Sequence, residues 1–405
     1  MHILLLHQAF VALDEPGGTR HFELARLLAE RGHKVTIIAS PVSYLTGEVG
    51  TAAPSFSQTK SGGGVTILRA YTYTGLHRSF AHRLLSFFSF MISSFWTGLQ
   101  VRGVDLVWGT SPPIFQSLTA WVLARLKRAP FLFEVRDLWP AFAIEVGVLR
   151  QPLLIRASEW LERFLYRHAD QLVVNSPGYI SHVQTRGASR VAVVPNGTDP
   201  RMFDPHEDGV AFRSEHGLEG KFVALYAGAH GLSNDLGVLL DGAALLIQRP
   251  DIAIVLVGDG KDKPYIMSQA AEKQLSNVHF LPPIPKEQMR QALGGANACV
   301  AILKPVPLYA TVYPNKVFDY MAAGRPVILA IDGVIRDVVE DAGAGIFAAP
   351  GDPISLANAI LTLADDPQKG HEMGLNGRRY VEQHFDRVDL AAELAVLMEQ
   401  MVSAV

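Results

Sequence analysis

The chain has 405 residues, of which 49% are hydrophobic and 19% are charged, and its formal net charge is −3. A single hydrophobic core rarely grows to this length, so we expect two domains. The slightly acidic balance argues against a nucleic-acid-binding protein. The lone Cys299, inside the apolar run "NACVAIL", excludes a disulfide framework and suits a reducing compartment.

Apolar runs alternate with helical patterns along almost the whole chain. "HILLLH" comes first, the amphipathic "TRHFELARLLAERG" follows, and the β-branched "KVTIIAS" comes next, which is the order of a right-handed βαβ unit in a parallel sheet. The first run is too short, and lacks the basic flank, for a signal peptide. The later predicted strands are "DLVWG", "FLFEVRD", "QLVVNS", "VAVVPNG", "FVALYAG", "IAIVLVGDG", "VHFLPPI", "ACVAIL", "PVILAI" and "AGIFAA".

These strands form two series that meet at "NGTDPRMFDPHEDG", a stretch rich in Pro, Gly and acidic residues. We therefore predict an α/β fold with two Rossmann-like domains, residues 1–200 and 201–375, that face each other across a cleft. A helical segment, residues 376–405, follows and can cross back to the N-terminal domain. Ligands of open α/β sheets bind beyond the carboxyl ends of the strands, so the residues just after each strand are the candidate site residues.

One segment, Leu84 to Val101, is apolar enough to raise the question of a membrane. It carries no charge, and its 18 residues barely reach spanning length, so a spanning helix is the least favoured alternative. A helix packed in the core and a helix lying on a membrane surface both fit. Basic residues beside Phe and Trp are an interfacial composition, so we predict contact with the membrane interface. The basic residues of its flanks are His77, Arg78, His82, Arg83 and Arg102.

Two groups of candidate residues follow strands of the first series. Gly17 and Gly18 permit close approach of the backbone, and the helix after them offers free N–H groups to a phosphate. A glycine turn that only starts the helix is the alternative. Arg136 and Asp137 follow "FLFEV" and can bind or orient a sugar hydroxyl, or they form a structural ion pair or cap the next helix.

Three more candidates follow strands of the second series. Gly228 and His230 lie in "AGAHGLSND", where the imidazole can bind a phosphate or a base, or can simply be satisfied within the turn. Lys304 follows the strand in "NACVAILKP".

The stretch "YPNKVFDYMAAGRPVILA" predicts a helix that starts near Asn315, after Pro314, and ends at Gly324. Lys316 and Asp319 share one face of it, one turn or roughly 5 Å apart. A diphosphate at the helix N-terminus would meet backbone N–H groups and Lys316, and a ribose one turn along would meet the carboxylate of Asp319. The alternative is an ordinary acid near a helix start and a solvated lysine.

Taken together, these stretches resemble the retaining glycosyltransferases of family 4, which have the GT-B fold. "PGGTRHFELARLLAERGHKVTII" looks like the first unit of that family, and "ADQLVVNSPGYISHVQTRGASRVAVVPNGTDPRMF" looks like the run before its interdomain linker. "YAGAHGL", "LVGDGKDK", "VHFLPPIPKEQMRQAL" and "PNKVFDYMAAGRPVILA" look like successive pieces of its donor domain. The likeness is strongest to bacterial O-antigen and polysaccharide enzymes, including those that move an N-acetylated deoxysugar such as L-fucosamine.

The resemblance implies roles for several residues. Asp319 would hold the ribose, and Gly17 and Gly18 would lie near the donor phosphates. Arg136 and Asp137 match the His-Asp pair of the family, with arginine in place of histidine.

Two further departures concern the donor domain. The first acid of the paired-glutamate motif is absent, and Ser233, Asn234 and Asp235 stand where the family has Arg and Lys. These changes shift the neutralisation of phosphate toward the helix N-termini and Lys304, Lys316 and Arg20.

The resulting expectation is transfer of a sugar from a UDP-sugar to a polyprenyl-diphosphate-linked saccharide, at the cytoplasmic face of the cell membrane, in the synthesis of a surface polysaccharide. Lys316, Arg136 and Asp137 are the expected catalytic residues. No metal or other cofactor is expected, because the sequence has no DxD-type acidic cluster or His/Cys ligand set. The alternatives are a UDP-sugar 2-epimerase of the same architecture and a non-catalytic nucleotide-sugar-binding protein.

Overall fold

The computed structural model describes residues 1–11, 18–43, 47, 49, 55–58, 63–75 and 78–404. Its described residues group into two compact units. The first comprises residues 1–11, Thr19–Pro195 and residues 388–404, and the second comprises Gly18 and Asn196–Arg387. The units therefore change at Pro195 and Arg387, whereas the predicted domain limits were residues 200 and 375.

Parallel strands dominate the described part of the first unit. Its strands are β1 (His2–Leu6), β2 (Lys34–Ala39), β3 (Ser55–Gln58), β4 (Gly64–Arg69), β5 (Leu106–Ser111), β6 (Phe131–Val135), β7 (Gln171–Val174) and β8 (Val191–Val193). They form one sheet in the order β3-β4-β2-β1-β5-β6-β7-β8, in which the β3–β4 pair is antiparallel. Every strand predicted in this half is confirmed, and β3 and β4 are additional.

Helices connect these strands in the expected alternation. They are α1 (Arg20–Glu30), α2 (Phe80–Gln100), α3 (Phe115–Lys127), α4 (Ala141–Glu145), α5 (Pro152–His168), α6 (Ile180–Thr185) and, at the end of the chain, α15 (Arg387–Ser403). Leu390, Leu394 and Met398 of α15 are buried in one cluster with Ile3 and Leu5 of β1. The last helix therefore completes the core of the unit that the first strand begins.

The second unit contains a six-stranded parallel sheet in the order β11-β10-β9-β12-β13-β14. The strands are β9 (Phe222–Ala227), β10 (Ile252–Val257), β11 (Val278–Leu281), β12 (Ala298–Ile302), β13 (Val327–Ala330) and β14 (Gly345–Phe347). Its helices are α7 (Val210–Glu215), α8 (Leu236–Leu245), α9 (Lys263–Glu272), α10 (Lys286–Gly294), α11 (Asn315–Ala322), α12 (Val334–Asp341), α13 (Pro353–Asp365) and α14 (Pro367–His384). The predicted strands of the second series are all present.

This sheet is covered on both faces, as the nearly continuous apolar runs of its strands require. In β9, Val223 and Leu225 belong to one buried cluster, while Ala224 and Tyr226 belong to another. Successive side chains of a strand point to opposite faces, so the two clusters lie on the two sides of the sheet. Two layers of helices therefore hold the strands, and the carboxyl ends of the strands remain as the edge where a ligand can bind.

Helix α2 contains the apolar segment that the sequence singles out. Ser86, Phe90 and Ser94 are buried on its inner side. Its outer side shows five exposed apolar residues at helical spacing, which are Leu85, Phe88, Ile92, Trp96 and Leu99. Among the described residues, none of the helices combines the length and the apolar composition that crossing a membrane requires.

Candidate functional site

The carboxyl ends of β9 and β10 approach each other so closely that two glycines are needed there. Gly228 has φ +148° and Gly258 has φ +145°. A Cβ atom on Gly258 would lie 1.9 Å from the carbonyl oxygen of Gly228, and a Cβ atom on Gly228 would lie 2.8 Å from Nζ of Lys316. The predicted site residue Gly228 thus makes room for the lysine of α11.

Lys316 reaches this strand end from the first turn of α11. Its Nζ lies 3.9 Å from the centroid of the Tyr226 ring, a cation–π contact. Nζ is buried and makes no hydrogen bond within the described part of the chain. Burial without a partner lowers the pKa of Lys316 to about 7.

His230 also lies near Tyr226. The centroids of the two rings are 6.0 Å apart, and the ring of Phe280 lies 6.4 Å from that of His230, centroid to centroid. The imidazole is 0% exposed, and neither of its nitrogens has a hydrogen-bond partner among the described residues. Burial, with the charges of Lys263 and Lys316 adding to it, lowers the pKa of His230 to about 4. The interpretation of His230 as a histidine satisfied within its turn is therefore wrong.

Asp319 follows Lys316 by one turn of α11 but does not pair with it. Its Oδ1 accepts hydrogen bonds from Oγ1 of Thr198 at 2.7 Å and from Nζ of Lys286 at 3.2 Å. The two charged side chains of α11 therefore lie in different places: Lys316 lies at the end of β9, and Asp319 lies beside the start of α10. This separation is what binding the two ends of an elongated ligand requires.

The loop that carries Thr198 is fixed from the end of the second unit. The backbone N–H of Thr198 donates to the carbonyl of Phe385, and the N–H of Arg387 donates to the carbonyl of Thr198. The guanidinium of Arg387 is buried and donates to the carbonyl of Asn196 at 3.0 Å. Asp319 therefore meets a hydroxyl group whose position is set by the backbone.

Two other predicted residues flank this region. Asn315 is exposed at the first position of α11. Lys304 donates its backbone N–H to the carbonyl of Ser233, and its charge opposes the burial that raises the pKa of Asp235. Lys304 thus lies beside an acid of the β9–α8 connection, and its role toward phosphate stays a prediction.

The glycine pair after β1 is only partly described. Gly18 is exposed, and a Cβ atom there would lie 3.9 Å from Nδ2 of Asn315, so the space beside it is open. Gly17 lies outside the described residues. The predicted role of the pair near the donor phosphates stays a prediction.

Arg136 is held at the carboxyl edge of the first sheet by three acceptors. Its Nε donates to Oγ1 of Thr110 at 2.9 Å, and its Nη2 donates to Nε2 of His7 at 3.0 Å and to the carbonyl of Pro112 at 3.3 Å. Thr110 lies near the end of β5, the strand that pairs with β6, and Pro112 follows that strand. His7 follows β1, which lies on the far side of β5. Parallel pairing therefore brings together residues that are far apart in sequence.

Asp137 follows Arg136 and is partly enclosed. Burial raises its pKa to about 6, although the charge of Arg136 and the N–H of Leu138 both act in the opposite direction. The carboxylate thus remains ionised above that value while being poorly hydrated. Such a group accepts a hydrogen bond from a sugar hydroxyl more strongly than a fully hydrated carboxylate does.

Beneath Arg136 lies a buried polar network around Glu134, which is 1% exposed. Its carboxylate accepts from Nε of Arg20 at 3.1 Å, Nε2 of His21 at 2.6 Å and Nε1 of Trp108 at 3.2 Å. Arg20 is 3% exposed and also donates to the carbonyl of Val194. The prediction that Arg20 neutralises a donor phosphate is not supported, since its guanidinium serves this internal network.

Several residues of both strand edges were not predicted. In the sequence, Tyr226 looks like an ordinary strand residue. Lys286 lies in "LPPIPKEQM", just after a predicted strand, and this position is the one signal that could have marked it as a site residue. His7 ends the "HILLLH" run, and nothing in that run distinguishes it from a core residue. As for metals, no group of three or more His, Cys, Asp or Glu side chains that could hold an ion occurs in the described ranges.

Comparison with known families divides the chain in the same way. Residues 17–197 match the family described as "Glycosyl transferase 4-like domain", and residues 221–366 match the family described as "Glycosyl transferases group 1". The two matches together cover most of the chain.

Individual proteins are similar over most or all of the chain. WcaI of Escherichia coli K12, named as a glycosyl transferase of colanic acid biosynthesis, is 23% identical over 320 residues, 76% of this chain and 78% of its own. The structure of sucrose-phosphate synthase from Thermosynechococcus elongatus covers 100% of both chains with a TM-score of 0.80 and 21% identity. Anabaena Alr3699/HepE in complex with UDP-glucose has a TM-score of 0.72 with 18% identity and also covers 100% of both chains. At these identities the solved structures establish the fold.

The unpaired ammonium of Lys316 predicts a specific dependence of stability on pH. Its pKa is lowered from 10.5 to about 7 in the folded protein, so between these values the unfolded chain binds more protons and stability rises with pH. Lys316→Met removes this contribution. We expect the urea midpoint of the variant to exceed that of the wild type most below about pH 7, and the difference to shrink as the pH approaches 10.

Lys261→Met, at an exposed lysine of the same unit, is the matched control and should show no such trend. A gap between Lys316→Met and the wild type that stays constant across the pH range would contradict the burial of an unpaired ammonium.

Proposed function

Because the chain belongs to the group 1 glycosyltransferases and has the GT-B fold, we propose that it transfers a sugar from UDP to a hydroxyl group of a lipid-linked saccharide. The observation that carries the donor side is the buried ammonium of Lys316, which has no hydrogen-bond partner in the described part of the chain. An ammonium in this state gains strongly from an anion. The diphosphate of a nucleotide sugar is the anion that a glycosyltransferase brings to such a place.

The donor diphosphate is proposed to lie between α11 and the end of β9. There it would meet the ammonium of Lys316, the imidazole of His230 and the backbone N–H groups at the start of α11, whose N-cap Pro314 provides no side-chain cap. Diphosphate charge favours the protonated form of Lys316, so binding should draw a proton onto the protein near neutral pH. Lys304 is proposed to add a further positive charge from the end of β12.

The ribose is proposed to bind Asp319. Oδ1 of this carboxylate is already used by Thr198 and Lys286, which orient the group so that Oδ2 can accept from a ribose hydroxyl. The similarity to the fold of a protein solved with UDP-glucose supports UDP as the nucleotide. The sugar is proposed to be an N-acetylated deoxyhexosamine such as L-fucosamine, as the sequence resemblance implies.

The chemical step is proposed to proceed with retention, as the resemblance to family 4 implies. The bond between the anomeric carbon and the phosphate oxygen breaks, a bond to the acceptor oxygen forms, and the departing phosphate takes the acceptor proton. Lys316 stabilises the charge that develops on the diphosphate. Arg136 and Asp137 of the first unit bind and orient the acceptor hydroxyl, and no metal is required.

The acceptor is proposed to be a polyprenyl-diphosphate-linked saccharide at the cytoplasmic face of the cell membrane. The similarity to a colanic acid enzyme supports a product that becomes a surface polysaccharide. The exposed apolar side of α2 supports membrane contact, because its five exposed apolar residues include Phe88 at 46% and Trp96 at 61% exposure. Arg83 and Arg102 bracket the apolar segment and suit anionic headgroups.

Release of UDP that depends on an acceptor tests the proposed reaction. The purified protein is incubated with UDP-N-acetylhexosamines and a polyprenyl-diphosphate-linked saccharide, with and without EDTA. We expect one UDP per sugar transferred and unchanged turnover in EDTA. Interconversion of the UDP-sugar without acceptor would indicate an epimerase instead, and loss of turnover in EDTA that Mg²⁺ or Mn²⁺ restores would contradict metal independence.

Asp319→Asn tests the ribose site. The amide keeps the shape but loses the charge, so UDP binding should weaken by about 1–3 kcal/mol, or roughly 5- to 150-fold in Kd. Isothermal titration calorimetry measures this, and thermal unfolding checks the fold. Asp337→Asn, at an exposed acid on α12, is the matched control. An unchanged Kd in folded Asp319→Asn would remove this residue from the site.

Flotation with liposomes tests the membrane surface. The double variant Phe88→Gln/Trp96→Gln should lose binding to vesicles that contain phosphatidylglycerol, because it removes the aromatic insertion. The control Leu245→Gln/Ile354→Gln replaces two equally exposed apolar residues of the second unit and should still bind. Salt should weaken binding of the wild type, since about 1 kcal/mol per basic residue is electrostatic. A wild-type protein that ignores these vesicles at low salt would contradict the membrane role.

A further inference from the structure

The hydrogen bond between Arg136 and His7 determines the protonation of the histidine. A guanidinium has only donors, so Nε2 of His7 must accept the bond at 3.0 Å from Nη2, and the proton of the ring lies on Nδ1. A second proton on the ring would set two donors against each other. His7 is also 1% exposed, and its Nδ1 has no hydrogen-bond partner among the described residues. The neutral form is therefore the one that this environment accepts.

The surroundings of the ring favour the same form. The ring of His21 lies 4.3 Å away, centroid to centroid, and that of Phe10 lies 6.0 Å away, edge to face. His21 donates its Nε2–H to Glu134, whose charge is already balanced by Arg20. Burial, with His21 and Arg136 adding to it, lowers the pKa of His7 well below its ordinary value. Within the described residues, the charged or titratable groups that act on His7 are His21 and Arg136, and neither stabilises an imidazolium at residue 7.

The position of His7 in the fold explains why it can act on Arg136. His7 is the first residue after β1, in the centre of the sheet, and Arg136 is the first residue after β6. Strand β5, with Thr110 near its end, lies between them. The guanidinium thus spans the end of β5 and is tied on one side to Thr110 and on the other to His7.

We infer that His7 is a positioning residue for sugar transfer, whose neutral imidazole accepts a hydrogen bond from Arg136 and fixes the guanidinium at the acceptor side. This inference rests on the proposed role of Arg136 in the transfer reaction. Without the acceptor, Nη2 loses its bond to His7 and retains the longer bond to the carbonyl of Pro112, at 3.3 Å. The guanidinium then loses its fixed orientation, and the acceptor hydroxyl is less well placed.

The substitution His7→Phe tests this inference, because it keeps an aromatic ring against His21 and Phe10 but removes the acceptor. We expect acceptor-dependent turnover, as kcat/KM for the saccharide, to fall about 10- to 100-fold, the effect of losing one hydrogen bond to a charged group. The Kd of UDP should stay within about twofold, since the proposed donor site lies in the other unit. His7→Gln offers an amide oxygen to Arg136 and should recover most of the activity.

Two comparisons separate positioning from a purely structural role. His7→Phe should have no further effect in the background of Arg136→Ala if it acts only through that residue. His2→Phe removes another buried imidazole from β1, one that bonds Oγ1 of Thr36, and should retain activity even where it lowers the melting temperature.

Three results would overturn the inference: full activity of folded His7→Phe, an additive loss in the double variant, or full activity of Arg136→Ala. The last result would also remove Arg136 from the site. Failure of the proposed function is recognised separately, as a wild-type protein that releases no UDP when donor and acceptor are both present.

Discussion

Both candidate sites lie at the carboxyl edge of a sheet, and both depend on the parallel pairing of its strands. In a parallel sheet every strand ends at the same edge, so residues that follow different strands become neighbours however far apart they lie in sequence. In the first unit this brings His7, Thr110 and Arg136 into one hydrogen-bonded group. In the second it brings Gly228 and Gly258 into contact, and Lys316 reaches the same strand end from its helix. The candidate site residues of each unit therefore gather at the carboxyl ends of its parallel strands.

The two sheet edges differ in whether their buried polar groups have hydrogen-bond partners. Around Glu134 the carboxylate is satisfied by three donors, which fixes the geometry and leaves no charge to spare. Around Tyr226 the lysine and the histidine are buried without hydrogen-bond partners within the described residues. Leaving buried donors unpaired costs about 1–3 kcal/mol each. The apolar side of α11, with Val317, Phe318 and Met321 all fully buried, holds Lys316 in place despite this cost.

The sequence was sufficient for the architecture, because strand and helix patterns alternate clearly and every predicted strand is present. It missed β4, whose short apolar alternation follows a run of glycines, and β3, which pairs with β4 alone and turns antiparallel at the end of the sheet. Helix α11 was predicted with its start at Asn315 and its stop at Gly324, because Pro and Gly mark both ends. The contact of Tyr320 was not predicted: its hydroxyl accepts a hydrogen bond from the backbone N–H of Ala227, inside the core.

Partners across the fold could not be predicted in the same way. Helical spacing placed Lys316 and Asp319 on one face, yet it could not reveal that Lys286 and Thr198 meet the carboxylate while Tyr226 meets the ammonium. These contacts join residues from separate elements, and periodicity within one element carries no information about them. Arg20 shows the same limit, since only the folded chain brings Glu134 to it.

The contact between Lys316 and the end of β9 also gives a physical account of a departure from the family pattern. The cations that the resemblance leads one to expect after "YAG" are replaced by Ser233, Asn234 and Asp235. Ser233 is instead used inside the unit, where its Oγ accepts from the hydroxyl of Tyr309 and its carbonyl accepts from the N–H of Lys304. Lys316 of α11 instead places an ammonium beside Gly228. A positive charge at the end of a strand need not follow that strand in sequence, because any helix that packs against the strand end can supply it.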